Sequence, residues 1–216
     1  MHWIDHHFLP DIGGTVERFI LNRHGEVDGL VLMYDAERFL FVHVPPHLGP
    51  ELTSAAAPGD AVRVRGIRPR GGDMVAAVAV IASNGDVIVD NGPNGKNAQA
   101  PQPPPHEKVD KIELDGVVRM SLFGPKGELR GALLNNGDIV RVGPKEAIQV
   151  ADLLRPGATL SVRGEGLDTR YGRIVCAAEI GPDPARLRRA KEDVREPKPE
   201  KRPDASPAQH AAIGAE

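Results

Sequence analysis

An eight-residue run that occurs twice constrains the fold of this chain more than anything else in it. Gly25-Glu26-Val27-Asp28-Gly29-Leu30-Val31-Leu32 returns 102 positions later as Gly127-Glu128-Leu129-Arg130-Gly131-Ala132-Leu133-Leu134. Other landmarks keep the same order. Gly14-Thr15-Val16 returns as Gly116-Val117-Val118, and Pro58-Gly59-Asp60-Ala61-Val62-Arg63-Val64-Arg65-Gly66 returns as Pro156-Gly157-Ala158-Thr159-Leu160-Ser161-Val162-Arg163-Gly164. Ordered landmarks at near-constant spacing are the mark of a duplicated unit. Each unit of roughly 75 residues is near the lower size at which one core holds without staples. Cys176 is the only cysteine, so no intrachain disulfide is available as a staple.

Within each unit the pattern predicts strand, strand, strand, helix, strand, strand. Thr15–Leu21 reads as the first strand, with Val16 and Ile20 matching Val118 and Leu122. A tight turn follows, Asn22-Arg23-His24-Gly25 in one copy and Gly124-Pro125-Lys126-Gly127 in the other; proline presets φ and glycine accepts φ > 0. Strands two and three cover Glu26–Met33 and Arg38–Val44. In the second copy Asn135-Asn136-Gly137 joins them, and Asn-Gly is a strong hairpin signal. The first copy is four residues longer here. Ala147, Val150, Ala151 and Leu154 make one apolar stripe at helical spacing; His47–Ala57 is the poorer counterpart, with Pro50 tolerable in a first turn. Pro58-Gly59 and Pro156-Gly157 stop both helices. Val62 and Val64 then alternate with Arg63 and Arg65, as on a strand with one buried face. The fifth strand, Met74–Ile81 or Arg173–Ile180, is apolar enough to be buried on both faces.

One helix between strands three and four of a five-stranded antiparallel order is the arrangement of the OB-fold, a Greek-key barrel. In its turn glycines, its helix stop and its core alternation the chain resembles small uncharacterised bacterial proteins with one or two OB-like barrels. The resemblance covers about 150 of the 216 residues. It implies an all-β fold of two tandem five-stranded barrels. SH3-like barrels are the main rival, and the helix of the second copy speaks against them. The expected organisation is an N-terminal lead over 1–13, barrel 1 over 14–91, a Pro/Gly/Asn-rich linker over 92–111, barrel 2 over 112–183 and a disordered charged tail over 184–216. The tail opens with Ala185–Lys191, which has the composition for one or two helical turns.

Composition narrows the function classes. The net charge is −3. Residues 1–91 carry 7 basic and 12 acidic side chains, and residues 112–183 carry 9 and 10; only the tail, with 8 and 6, is positive. Neither barrel has the basic excess of a strong phosphate binder. The N-terminus lacks the basic and apolar regions of a signal peptide, and no run of 18 apolar residues exists to span a membrane. A cytoplasmic location is the expectation.

No constellation points to catalysis. There is no HExxH, no phosphate loop, no CxxC and no nucleophile elbow, so the chain reads as no enzyme, with no cofactor and no metal. His2, Asp5, His6 and His7 match no metal-ligand spacing and read as surface residues. Arg70-Gly71-Gly72-Asp73 reads as the turn between strands four and five. Cys176 lies in an apolar run opposite Ala77 of the first copy and reads as a small core residue. His43 and His47 correspond to Arg141 and Lys145, and the exchange reads as a polar, solvent-facing rim.

Binding candidates follow from the barrel geometry, since OB-folds take ligands on the face of strands two and three and with the loops joining strands one–two and four–five. Those places supply Arg23, Arg63, Arg65, Arg68 and Arg70 in the first copy and Lys126, Arg130, Arg170 and Tyr171 in the second, with His24 and Arg173 beside them. Phe19, Tyr34, Phe39 and Phe41 are the rings available to stack a base, although only 4% of residues are aromatic. The first reading is a binder of single-stranded RNA or DNA, with Arg186, Arg188, Arg189 and Lys191 of the tail in support. The alternative is an adaptor that binds a protein or a small ligand and has no nucleic-acid role. Arg63, Arg65, Arg68 and Arg70 gathered on one exposed face favour the first; scattered or ion-paired, they favour the second.

Overall fold

The strands close on themselves. The computed structural model describes residues 5–35, 38–92 and 110–190. In the first unit β1 (Asp11–Leu21), β2 (Val27–Tyr34), β3 (Arg38–His43), β4 (Ala61–Ile67) and β5 (Met74–Ala82) are followed by a short β6 (Val87–Val89). Their order is β3-β2-β1-β4-β5-β6, and a parallel pairing of β3 with β5 joins the ends. The second unit repeats it with β7 (Asp110–Phe123), β8 (Leu129–Leu134), β9 (Ile139–Arg141), β10 (Thr159–Thr169), β11 (Gly172–Gly181) and β12 (Arg188–Arg189), closed between β10 and β11. Both units are five-stranded OB barrels. The sixth strand of each is an addition on the edge of the fifth.

A helix plugs each barrel between strands three and four: α1 (Gly49–Ala55) in the first and α2 (Pro144–Gln149) in the second, with a proline in the first turn of each. The apolar stripe of the second copy is buried at Ala147, Val150 and Leu154. It is not one helix, however. Val150 leaves α-helical geometry, and Ala151–Leu154 continues as a 3₁₀ turn.

The register places the copies on one another. Gly29 pairs with His43 as Gly131 pairs with Arg141, and His43 pairs with Ala76 as Arg141 pairs with Cys176. The first-copy counterpart of Cys176 is therefore Ala76 and not Ala77, because the strands of the β10–β11 hairpin run further before they turn, so that Gly164 pairs with Ala177 where Gly66 pairs with Ala77. Strand one carries the same β-bulge in both copies, at Glu17 between Val16 and Arg18 and at Arg119 between Val118 and Met120.

The ends differ from the sequence-based boundaries. β1 begins at Asp11, inside the lead, and pairs with β4 through Asp11–Arg65. Residues 93–109 of the linker lie outside the described residues, and Asp110 and Lys111 already belong to β7. The tail makes one 3₁₀ turn, Pro184–Arg186, where the Asp183 carboxylate accepts from the Ala185 N–H. The chain then turns extended, and Ala190 packs into the second core with 2% of its surface exposed. Residues 191–216 lie outside the described residues, as does His2.

The two barrels do not keep separate interiors. Leu122, Leu133, Ile139 and Ile174 of barrel 2 belong to the core cluster of barrel 1. Strands two and three carry consecutive buried residues, Val27–Leu32 and Leu40–His43 in barrel 1 and Gly131–Leu134 and Ile139–Arg141 in barrel 2. A strand packed on one side alternates; these are covered on both faces. One side faces the barrel interior, and the other faces the opposite barrel.

Candidate functional site

The inter-barrel junction occupies the strand-two and strand-three face on which an OB-fold usually takes its ligand. Its polar contacts start from the bulges. A bulge adds one residue to a strand and re-aims its side chain, and here both bulged side chains point into the junction and meet. Arg119 donates to both carboxylate oxygens of Glu17, at 2.6 and 2.9 Å. Deeper in, the Arg141 guanidinium donates to the Leu21 carbonyl at 2.7 Å and to the Asp28 carboxylate at 2.6 Å. Arg18 donates to the Gly137 carbonyl at 2.8 Å.

Asp28 and Arg141 are 8% and 7% exposed, so both charges have left water. Burial raises the Asp28 carboxyl to about 6, against the pull of Arg141. Burial likewise lowers the Arg141 guanidinium from its ordinary value. His43, 7% exposed, is pushed down to about 4 by burial and by the cations Arg141 and Arg130. The expected solvent-facing rim at His43 and Arg141 is thus overturned. The junction covers both residues, and the exchange of His for Arg between copies reflects a buried contact. His43 Nδ1 and Arg130 Nε are buried without a hydrogen-bond partner among the described residues. His47 does lie at the surface, 3.2 Å from Asp90. Cys176 is half-buried at the junction, its thiol 3.7 Å from the Arg23 carbonyl and raised by burial.

The loops interlock at two places. The strand one–two loop of barrel 1 lies on the end of β10, where it enters the strand four–five turn of barrel 2: a β-carbon added at Gly25 would sit 3.6 Å from Leu167 and Thr169. The reciprocal pair is tighter. A β-carbon at Gly127 would sit 3.0 Å from the Arg70 carbonyl and 3.1 Å from Pro69, and one at Gly72 would sit 3.0 Å from the Phe123 ring. Arg23 and Arg170 are thereby carried on one pair of loops, and Arg70 and Lys126 on the other. All four are exposed, and none has an ion-pair partner among the described residues.

The other candidate residues are engaged. Arg63 and Arg65 both pair with Asp11, at 3.4 and 3.0 Å, and Arg65 also lies 3.4 and 3.3 Å from the ring nitrogens of His6 and His7. Arg68 stands 3.8 Å from Asp73. Arg130 pairs with Glu128 at 2.7 Å, and Arg173 pairs with Asp168 at 2.8 Å. Tyr171 is half-buried, in a T-shaped contact with the Phe19 ring and with its face under the Arg170 guanidinium. Phe19 and Phe41 are core residues, Tyr34 packs against the core, and Arg119 covers the partly exposed Phe39 ring at 4.5 Å. In the tail, Arg186 pairs with Asp183 and Arg188 donates to the Gln149 carbonyl. Among the described residues no three of His, Cys, Asp and Glu gather as a metal site requires, and no helix is long and apolar enough to cross a membrane.

No family model and no curated protein sequence matches this chain. Among solved structures it is similar to the wild-type single-stranded DNA binding protein from Thermus aquaticus. Identity is 18%, coverage is 93% of this chain and 95% of that one, and the TM-score is 0.25. A deletion mutant of the same protein matches at 16% identity over 87% of this chain and 96% of that one, again with a TM-score of 0.25. The barrel assignment rests on strand order and closure, not on these likenesses.

The junction residues Glu17, Asp28, His43, Arg119 and Arg141 were not among the sequence candidates for a binding face. One signal marks them. At matched positions of the two copies the charge reverses or appears, Glu17 against Arg119, Asp28 against Arg130 and His43 against Arg141. Beside them both copies carry apolar runs too continuous for a strand with one wet face.

Proposed function

We propose that this chain is a non-enzymatic binding protein that holds single-stranded RNA or DNA by its phosphates. The contacts come from the loop cations Arg23 and Arg170 on one side of the junction and Arg70 and Lys126 on the other. One observation carries the reading. Loops of opposite barrels converge twice, and each convergence bears two exposed cations without a carboxylate partner among the described residues, whereas Arg63, Arg65, Arg130 and Arg173 are ion-paired. Base stacking plays little part, because Tyr171 and Phe39 are already covered by guanidinium groups. Binding is then weak, indifferent to sequence and steep in salt. In this reading the working body is the barrel pair, from Asp11 and from Asp110 onward, together with the segment that carries β12 and Ala190 on the second barrel, acting in the cytoplasm.

Fluorescence anisotropy with labelled oligo(dT) and a mixed RNA oligomer tests it. Four phosphate contacts predict a slope of log affinity against log salt of roughly −3. Replacing Arg23, Arg70, Lys126 and Arg170 together by Ala abolishes it. Absence of binding by the unaltered protein at 20–50 mM salt (about the low end at which such contacts are strongest) overturns the reading.

The ion pairing of Arg63 and Arg65 with Asp11 favours a second reading, an adaptor for a protein or small ligand with no nucleic-acid role. It is the reading left if oligonucleotides do not bind.

A further inference from the structure

Superposing the copies through their register makes the junction a pseudo-two-fold contact. Glu17 and Arg119 are the same position in the two barrels, both on the strand-one bulge. They face one another, so the pseudo-axis passes between them. Away from the axis the Arg141–Asp28 contact has a matching pair of positions, His43 and Arg130. Arg141 of barrel 2 reaches Asp28 of barrel 1, and the matching arrangement sets His43 of barrel 1 toward Arg130 of barrel 2. The backbone around these positions repeats: Val44 N–H donates to the Asp28 carbonyl at 2.9 Å, and Val142 N–H donates to the Arg130 carbonyl at 2.9 Å. The interlocking loops repeat as well.

The side chains break this symmetry in one direction. Packed the same way on a second copy of itself, barrel 1 would set Glu17 against Glu17. Barrel 2 on a second barrel 2 would set Arg119 against Arg119, and Arg141 against Arg130 where Asp28 should be. Only the mixed pair opposes unlike charges at the axis and gives buried Arg141 a carboxylate. Like charges across a partly desolvated face are what excludes wrong partners at interfaces, and leaving one member of a buried pair alone is strongly unfavourable.

We propose that the strand-two and strand-three face of each barrel is a directional interface that accepts the opposite barrel and rejects a second copy of itself, through the bulged pair Glu17–Arg119 and the buried pair Asp28–Arg141. The partner surface of barrel 1 is therefore barrel 2, and the converging loops are a product of that pairing. The inference does not depend on what the loops bind.

The axis pair tests it in the full chain, because each single reversal recreates one self-contact. Glu17→Arg makes the Arg–Arg contact of a barrel-2 self-pair, and Arg119→Glu makes the Glu–Glu contact of a barrel-1 self-pair. Glu17→Gln and Arg119→Gln remove the opposition without adding repulsion. The exchange Glu17→Arg with Arg119→Glu restores it. Thermal unfolding and small-angle X-ray scattering are the readouts. Each reversal lowers the midpoint by about 5 °C, on the scale expected for a body of this size, and enlarges the radius of gyration as the barrels part. The glutamine variants do less, and the exchange recovers most of both. Reversals no worse than the glutamine variants overturn the proposal, as does an exchanged chain whose losses simply add. Circular dichroism separates parted barrels, which keep their strand signal, from a chain that failed to fold.

Discussion

Barrel 1 and barrel 2 repeat one another in strand order, bulge, helix stop and closing pair, yet at the junction they differ in sign. Barrel 1 presents Glu17, Asp28 and neutral His43; barrel 2 presents Arg119, Arg130 and Arg141. The difference teaches that the repeat holds the fold while the mismatched positions hold the assembly. The repeated glycines Gly25 and Gly127 serve turns, and the repeated Val16 and Val118, like Leu32 and Leu134, serve the barrel interiors. The face each barrel shows to the other carries three of the charged or titratable differences, Glu17 against Arg119, Asp28 against Arg130 and His43 against Arg141. The same comparison explains why the usual OB ligand face is not open here. Both barrels have committed it to the junction, and only the loops at its margin remain exposed.

The comparison is broken hardest at the buried pair. Asp28→Ala leaves Arg141 nine-tenths buried with the Leu21 carbonyl as its one remaining hydrogen-bond partner among the described residues. Loss of one member of such a pair costs about 3–5 kcal/mol, and urea unfolding followed by far-UV circular dichroism should show it. The double replacement Asp28→Leu with Arg141→Met removes both charges and fills the space. It is expected to be neutral or more stable by about 1–4 kcal/mol. A double variant as unstable as Asp28→Ala would show that the pair does more than satisfy its own burial.

Next in size is the pH dependence, which His43 and Asp28 pull in opposite directions. His43 has a folded pKa near 4, below its ordinary 6.5. Its contribution is present above pH 6.5 and is lost as pH falls through about 4. Asp28 has a folded pKa near 6, above its ordinary 3.8. Its contribution is present below about pH 4 and is lost as pH rises through 6. The groups around them are Arg141, Arg130, Glu128 and Glu26, with Glu128 held below its ordinary value partly by its bond to Arg130. In the intact protein the two opposed contributions largely offset between pH 4 and 6. His43→Leu removes one of them, so its stability relative to the unaltered protein should rise by about 2–3 kcal/mol from pH 7 to pH 4. Parallel pH profiles for the two proteins would contradict the assignment of His43 as buried and neutral.

The barrels were legible from sequence because their determinants are local. Turn glycines, the Asn-Gly hairpin, the helix stops and the alternation of Val62, Arg63, Val64 and Arg65 each act within a few residues, and duplication states each signal twice. The junction was less legible because its determinants are separated by more than a hundred residues, as Asp28 is from Arg141. A buried histidine reads as a polar rim when the surface that covers it belongs to the other copy. The bulge at Glu17 leaves no local mark either, since an extra residue on a strand is visible only in the pairing. Spacing alone places Cys176 opposite Ala77, one residue off, because the four–five hairpins differ in strand length, which only strand register shows.

The smallest expected effect separates the strand arginines from the loop cations. Arg63 is 58% exposed on its side chain and shares Asp11 with Arg65 at 3.4 Å. An exposed pair of this kind contributes roughly 0–1 kcal/mol, and Arg65 continues to hold Asp11 at 3.0 Å without it. Arg63→Ala should therefore leave the thermal midpoint within about 2 °C of the parent. On the phosphate-binding reading it should also leave oligonucleotide affinity unchanged, because its charge is already spent on a carboxylate. Arg70→Ala, which removes a cation with no such partner among the described residues, should weaken binding and make the salt slope shallower by about 1. A loss of affinity in Arg63→Ala equal to that in Arg70→Ala would move the ligand path from the converging loops onto strand β4.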